Sequence, residues 1–414
     1  MMVSAVIIFA ACSKNGRIEQ INGIIKLKVV SWDVSHNNCM NEILEAFKVE
    51  NPEIAVEIID IPSMDYNQKL QIMLNGKSDM DVFFIKDGDT SKGLNNRGHL
   101  TDISAYVSRD NIDLSVFNGL AERFIIDNRL VALPFVTAYY ILYYNKDIFD
   151  KAGIPYPSND MTWTEWEKLA GKITSGSGNS KIYGGILHTW QACVQNWALQ
   201  DGKHTIMDTD YSFFKPYYEM ALRMQNAGHI WDYGSLKSTN INATSAFLQG
   251  NVAMMPMGTW SYVNIIDRIN KGESSIHWGI AVLPHPIGVE AGWTVGSVSP
   301  VAINQASRKK DAAWEFVKFV TGEEGARILA KYNLSPARAD EESMRIIAEG
   351  PNMPKGALDA LKVKNISLDR PMVDFVEEVN LMLGQEHSLI MLGEVSIEKG
   401  LEKMARRSKE IQNN

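Results

Sequence analysis

The tightest constraint on the fold is the alternation of strand and helix signals between Ile24 and Ile85. Ile24 to Val30 is a β-rich run ending in Ser31-Trp32-Asp33. Met40, Ile43, Leu44 and Phe47 then recur at helical spacing until Asn51-Pro52 stops them. Ile54, Val56 and Ile58 alternate as a strand, and Tyr66 to Leu74 reads as a helix. Asp81-Val82-Phe83-Phe84-Ile85 reads as a buried strand ending at Lys86-Asp87-Gly88. Strands linked through helices imply a parallel sheet covered by helices. In such sheets ligands sit beyond the carboxyl ends of strands, which here are Trp32-Asp33 and Lys86-Asp87.

The alternation continues. Thr162 and Glu165 form a Thr-x-x-Glu capping box that starts a helix through Leu169. Phe247 to Met255 reads as helix end, turn and buried strand, with Gly258-Thr259-Trp260 at its carboxyl end. Trp278 to Pro284 and Val301 to Asn304 read as further strands. Ala312, Ala313, Phe316, Val317 and Val320 mark one face of a helix, and the tail from Val373 to Ile411 reads as helical with breaks near Gly384 and Gly393. A chain of 414 residues is too long for one compact core and implies two α/β units.

The composition, 45% hydrophobic and 22% charged, is that of a soluble globular protein, and the net charge of −8 argues against a nucleic-acid partner. The basic run Ala405-Arg406-Arg407-Ser408-Lys409 reads as a solvated helix face. Val3 to Ala11 is a short apolar run ending in Phe9-Ala10-Ala11-Cys12 and followed by polar residues. It is too short to span a bilayer and reads as a secretory segment. It resembles a bacterial lipoprotein signal cleaved before Cys12, whose thiol would carry the lipid, although no Lys or Arg precedes the apolar core. Ser13 to Gly23 would then be a tether.

Signatures of catalysis are missing: there is no His-Glu-x-x-His, Gly-x-Ser-x-Gly elbow or P-loop, and no Cys or His pair has zinc-ligand spacing. No pair of carboxylates stands out as a glycosidase acid and base, though sequence does not exclude one. Aromatic residues at strand ends and loops are prominent instead. A sugar offers C–H faces that pack on aromatic rings and hydroxyls that bond to polar side chains, carboxylates especially.

Leu133-Pro134-Phe135, Tyr139-Tyr140, Leu142 to Phe149, the turn Ala152 to Pro157 and Thr162-Trp163-Thr164-Glu165-Trp166 follow one another in an order that resembles the extracellular solute-binding proteins of family 1. These are the maltose-binding-protein-like, sugar-binding receptors of ABC importers. The resemblance runs from about Lys26 to Ile411 and rests also on Phe247 to Trp260, Trp278 to Pro284 and Ser307 to Gly325. It implies a two-lobed α/β periplasmic-binding-protein fold (type II), each lobe a mainly parallel sheet flanked by helices and joined to the other by crossover hinge strands. Carried over, the signal is 1–12, the tether 13–23, the N-terminal lobe 24–135 with 281–322, and the C-terminal lobe 136–280 with 323–414. Cys39 and Cys193 would then fall in opposite lobes as unbridged thiols.

The resemblance also implies a lipid-anchored, extracytoplasmic monomer that captures a mono- or oligosaccharide between its lobes for a permease with its ATPase. No cofactor, metal or catalytic residue is expected. Candidate ligand residues are Trp32 and Asp33, Asp87, one of Tyr139 and Tyr140, Trp190, Trp260, Trp293 between Gly292 and Gly296, and Arg338. Rival readings stand beside them: core packing for Trp32, a turn cap for Asp87, a surface loop for Trp293 and a solvated Arg338. Trp163, Trp166, Trp197, Trp314, Met254, Met255 and Met257 read as core. Alternatives for the whole are a receptor for a polyamine, betaine or chelate, a sensory receptor docking on a kinase, and a lipid-anchored glycoside hydrolase.

Overall fold

The computed structural model describes residues 20–413 apart from Asn22, Asn37 and Ala339, so the signal and Cys12 lie outside the described residues. Strand β1 (Ile24–Trp32) buries Leu27, Val29 and Val30 and pairs in parallel with β2 (Ile54–Ile61) and β3 (Val82–Phe84). The intervening helix Cys39–Glu50 buries Met40, Ile43 and Phe47, and Phe47 meets Phe316 and Phe319 edge-on at 5.3 and 5.5 Å. The parallel order expected for this half is therefore present.

Two long strands then tie the halves together. β4 (Leu133–Asn145) starts in the first half, one strand removed from β3, and ends between β5 (Met254–Gly258) and β6 (Trp278–Ala281), antiparallel to both. β7 (Trp293–Ile303) runs back antiparallel to β4, with Gly296 opposite Tyr139 and Val301 opposite Leu133, and then pairs with β3. The register shifts between Ser299 and Pro300, where Pro300 faces Pro134 and neither can donate to the ladder. A short strand β8 (Asn365–Leu368) adds in parallel to the start of β7. Among the described residues, the second half's other parallel pairings are isolated bridges such as Tyr183 with Val252 and Gly185 with Ile230.

Buried apolar residues form two clusters. One holds Leu27 to Phe135, Val298 to Ile303, and Ala312 to Leu329 with Ala337. The other holds Tyr139 to Leu283, Val295, and Ile347 to Met404. By core membership the return crossing lies between Val295 and Val298 rather than at 281, and the first cluster extends past 322 to Ala337. The cause is β7: its first residues bury Val295 with the second cluster and its last bury Val301 and Ile303 with the first. Cys39 is buried in the first cluster and Cys193 in the second.

The local readings meet the structure in several places. The Thr162–Glu165 capping box is present at the head of the helix Trp163–Ile173. Trp163, Trp166, Trp197 and Trp314 are buried, as are Met254, Met255 and Met257. The helix Val376–Met391 runs unbroken through Gly384, whose missing Cβ leaves room for Gln191 to reach Asn380 at 2.7 Å, and the break falls at Gly393, φ +74°. The helix Ile397–Gln412 is not simply a solvated basic face, because Arg407 and Lys403 reach the fully buried carboxylate of Glu386 at 2.6 and 2.9 Å.

His387 is buried beside Tyr218, whose hydroxyl lies 3.1 Å from Nδ1, and burial above all pushes its pKa down to about 3. His188 is pushed down to about 4, again chiefly by burial. A depressed histidine contributes stability that is complete above its unfolded value near 6.5 and is lost as pH falls toward the folded value. His387→Gln should therefore flatten the pH dependence of unfolding free energy near pH 5 by about 1.4 kcal/mol per pH unit, one proton's worth. Urea melts between pH 7 and pH 4.5 check this; an unchanged slope would mean the imidazole is already charged in the native state.

Candidate functional site

The carboxyl ends of β1 and β3 and the start of β4 surround a depression of about 290 Å³ lined by Ser31, Trp32, Asp33, Phe84, Phe135 and Val136. Trp32 is half-buried and meets Tyr66 edge-on at 5.1 Å. Asp33 adopts φ +50°, and its carboxylate accepts from the Ser63 amide at 2.9 Å, linking the loop after β1 to the loop after β2.

Asp87 heads the short turn Gly88–Thr90, but its side chain makes no capping bond there. It accepts instead from Asn67 Nδ2 at 2.7 Å and from Arg370 Nη2 at 3.1 Å. The Arg370 guanidinium also lies 3.4 Å from Asp89 and 3.9 Å from Asp369. Burial opposes its charge, yet Asp369, Asp89 and Asp87 together hold Arg370 above the usual arginine range. Asp89 is almost wholly buried and its Oδ2 has no hydrogen-bond partner; burial outweighs Arg370 and lifts its pKa to about 7. Leu368 and Met372, flanking this group, pack on the first cluster while Ile366 and Val376 belong with the second. The segment is thus a further bridge between the halves.

In the second half, Trp260 opens the helix Trp260–Asn270 directly after β5. Its indole lies flat over Gly258: a Cβ there would fall 2.0 Å from a ring carbon. Tyr140 meets Trp260 edge-on at 5.5 Å and Trp197 at 5.4 Å. Trp190 is 45% exposed, lies 6.3 Å from Trp260 and stacks on His188 at 4.0 Å. Burial above all raises the pKa of the Tyr140 hydroxyl, which also feels the Cys193 thiol and the charges of Asp369 and Arg370. The aromatic group and the Arg370 cluster are neighbours in the sheet: Gly296 pairs with Tyr139, next to Tyr140, and its carbonyl accepts from the Asp369 amide at 2.9 Å.

The sequence candidates divide accordingly. Tyr140, Trp190 and Trp260 come together; Trp32 and Asp33 line the first-half depression; Asp87 joins the Arg370 cluster. Tyr139 turns to the opposite face of β4, where its hydroxyl donates to the Leu361 carbonyl at 3.1 Å, and it lines a different cavity together with Arg338. Trp293 is half-buried against Gly202, where a Cβ would meet its ring at 2.8 Å. The flanking glycines answer to the chain: Gly292 takes φ +93°, and a Cβ on Gly296 would fall 2.4 Å from the Ala138 carbonyl. His188, Asp369 and Arg370 adjoin these residues and were not among the sequence candidates. A charged pair directly before Pro371, at the end of the strand-like run Asn365–Leu368, was the available signal.

Among the described residues no cluster of three or more His, Cys, Asp or Glu could hold a metal ion. No helix among them is long and apolar enough to cross a membrane.

The architecture and the residues at its joint define a two-lobed periplasmic-binding-protein fold. The sequence model of the bacterial extracellular solute-binding proteins matches residues 35–327, and the chain belongs to that family. A sugar transporter from Rhizobium etli, solved in an open conformation, is 38% identical, with a TM-score of 0.88 over 93% of this chain and 99% of that one. An ABC substrate-binding protein from Listeria monocytogenes, solved with cycloalternan, shares the fold at 21% identity and a TM-score of 0.78, over 94% and 99% of the two chains. A putative binding protein of Brucella abortus is 22% identical over 72% of each chain.

Gly258→Ala should cost about 1–3 kcal/mol by forcing the Trp260 ring off its seat. In a Trp260→Ala background the same change should cost roughly half as much or less. Denaturant melts of the four proteins test this; equal costs in both backgrounds would show that the ring does not depend on the bare glycine.

Proposed function

We propose that this chain is an extracytoplasmic receptor that captures a mono- or oligosaccharide between its lobes and delivers it to an ABC importer. The observation that carries this reading is the exposed indole of Trp190 beside Trp260, braced by Tyr140 and adjacent to the Asp87–Arg370 cluster. Flat rings suit the C–H face of a sugar, and ionised groups make the stronger hydrogen bonds to its hydroxyls. The 38%-identical sugar transporter supports the carbohydrate class. Trp190, Trp260 and Tyr140 would supply the platform; Trp32, Asp33 and Asp87 would face it from the first half. Tyr139, Trp293 and Arg338 are left out of the contact set.

Closure around the solute would shift the population toward a form that the permease recognises, with no bond in the solute broken. ATP hydrolysis would belong to partner subunits. Lipid attachment at Cys12 and a monomeric state complete the proposal.

Thermal-shift assays with monosaccharides and oligosaccharides should raise Tm, whereas choline, betaine and polyamines should leave it unchanged. Trp260→Ala should weaken sugar binding by about tenfold or more, that is about 1.4 kcal/mol. A rise with the cationic solutes alone would replace the sugar assignment. Release of new reducing ends from oligosaccharides would replace the receptor by a hydrolase.

A further inference from the structure

Where the register of β4 shifts against β7, Ser299 faces Val136 and Pro300 faces Pro134, which leaves Phe135 as an extra residue. Consecutive residues of a regular strand point to opposite faces, but a bulge re-aims one of them. Phe135 and Val136 accordingly both line the depression of about 290 Å³ beyond the carboxyl ends of β1 and β3. Most of the wall that retains accessible surface there is apolar. Trp32, Val34, Val136 and Leu334 are half-buried, and Met40 and Phe135 keep 7 and 8% of their surface. Among the described lining residues only Asp33 is charged, and its carboxylate accepts from the Ser63 amide at 2.9 Å.

β4 links this depression to the ring platform of the second half. Val136 and Tyr140 are four residues apart with no register break between them, so they share one face of the strand, about 13 Å from each other. Tyr140 braces Trp260 on that face, whereas Thr137 and Tyr139 line the cavity on the other. One or two sugar rings fill that length. A rim of hydroxyls gains nothing from walls like those of the depression, but an apolar group removed from water gains free energy in proportion to the area it buries. The space is roughly twice the volume of a cavity that takes up benzene, so it admits a ring. We propose that this depression is a subsite for an apolar substituent of the solute, an aryl or short alkyl aglycone, while the sugar itself lies against Trp190 and Trp260. The sugar half of that ligand rests on the carbohydrate reading, and the apolar half rests on the depression alone.

Calorimetry of the full chain with methyl and phenyl glycosides tests it, using both anomers of the glucosides and galactosides. Benzyl alcohol, followed by saturation-transfer NMR, serves as the apolar half without a sugar. A phenyl glycoside should bind at least about tenfold more tightly than its methyl counterpart, and benzyl alcohol should bind alone with a Kd in the millimolar range. Leu334→Trp and Val34→Trp, each of which fills the depression, should abolish benzyl alcohol binding and bring the phenyl glycoside to the affinity of the methyl one. Either variant that folds by circular dichroism suffices. Trp260→Ala should weaken both glycosides and leave benzyl alcohol unaffected. Equal affinities of a methyl and a phenyl glycoside would overturn the subsite and leave the carbohydrate reading standing, as would benzyl alcohol binding that survives in a filled variant. Benzyl alcohol binding that is lost in a filled variant, with no glycoside bound by the native chain, would uphold the apolar subsite and overturn the sugar. Absence of binding by benzyl alcohol and by every glycoside overturns the subsite outright.

Discussion

The antiparallel pairing of β4 with β7 is the interaction on which the rest depends. Each strand is long enough to serve both hydrophobic clusters, and their contact from Gly296–Tyr139 to Val301–Leu133 lies where one cluster gives way to the other. A strand's side chains alternate between faces, so adjacent residues at this joint are sent to opposite sides. Tyr140 supports Trp260, and Tyr139 closes the cavity beside Arg338. The ladder is weakest at Pro134 and Pro300, where donors are missing on both strands. Next to that gap Ser299 Oγ donates to the Lys86 carbonyl at 2.7 Å, and Gly88 sits so close to Val298 that a Cβ would fall 2.3 Å from its carbonyl oxygen. The loop bearing Asp87 is thereby fixed to the crossover itself.

That arrangement explains which parts of the chain could be read in advance. The parallel set β1 to β3 and the capped helix at Trp163 follow local rules: apolar alternation, helical spacing and a Thr-x-x-Glu box. β7 was only half legible, since Val301 to Asn304 read as a strand while Gly296-Ser297-Val298-Ser299-Pro300 carry no strand signal of their own. Those residues extend because β4 and β8 pair with them, a non-local cause that no window of sequence contains. The same limit applies to the boundary between the units, which depends on where Val295 and Val298 are buried rather than on their neighbours in the chain.

For the candidate site, residue type and position at a strand end or loop led to Trp260, Trp190 and Asp87, which the structure gathers near the joint of the two halves. These cues were not enough for partners that arrive from afar. Arg370 lies 283 positions from Asp87, and its importance arises only when β8 adds to β7. The glycines around Trp293 have a sufficient cause within the chain: Gly292 makes a left-handed turn, and Gly296 packs against Ala138. A bare backbone position is evidence for a ligand only after the chain's own demands have been met.

The two halves differ in chemistry in a way that follows from how each is built. The second half's large apolar cluster surfaces as rings, since Tyr140 and Trp260 are continuous with buried Trp197 and Trp163. The first half presents the ends of a short parallel set, and these carry carboxylates already held in place, Asp33 by the Ser63 amide and Asp87 by Asn67 and Arg370. Side chains fixed by such bonds lose little further freedom when a hydroxyl approaches, which lowers the entropic cost of binding. A solute with both an apolar face and a rim of hydroxyls is matched only when rings and carboxylates act together, and the residues that set their spacing are those of the β4–β7 joint.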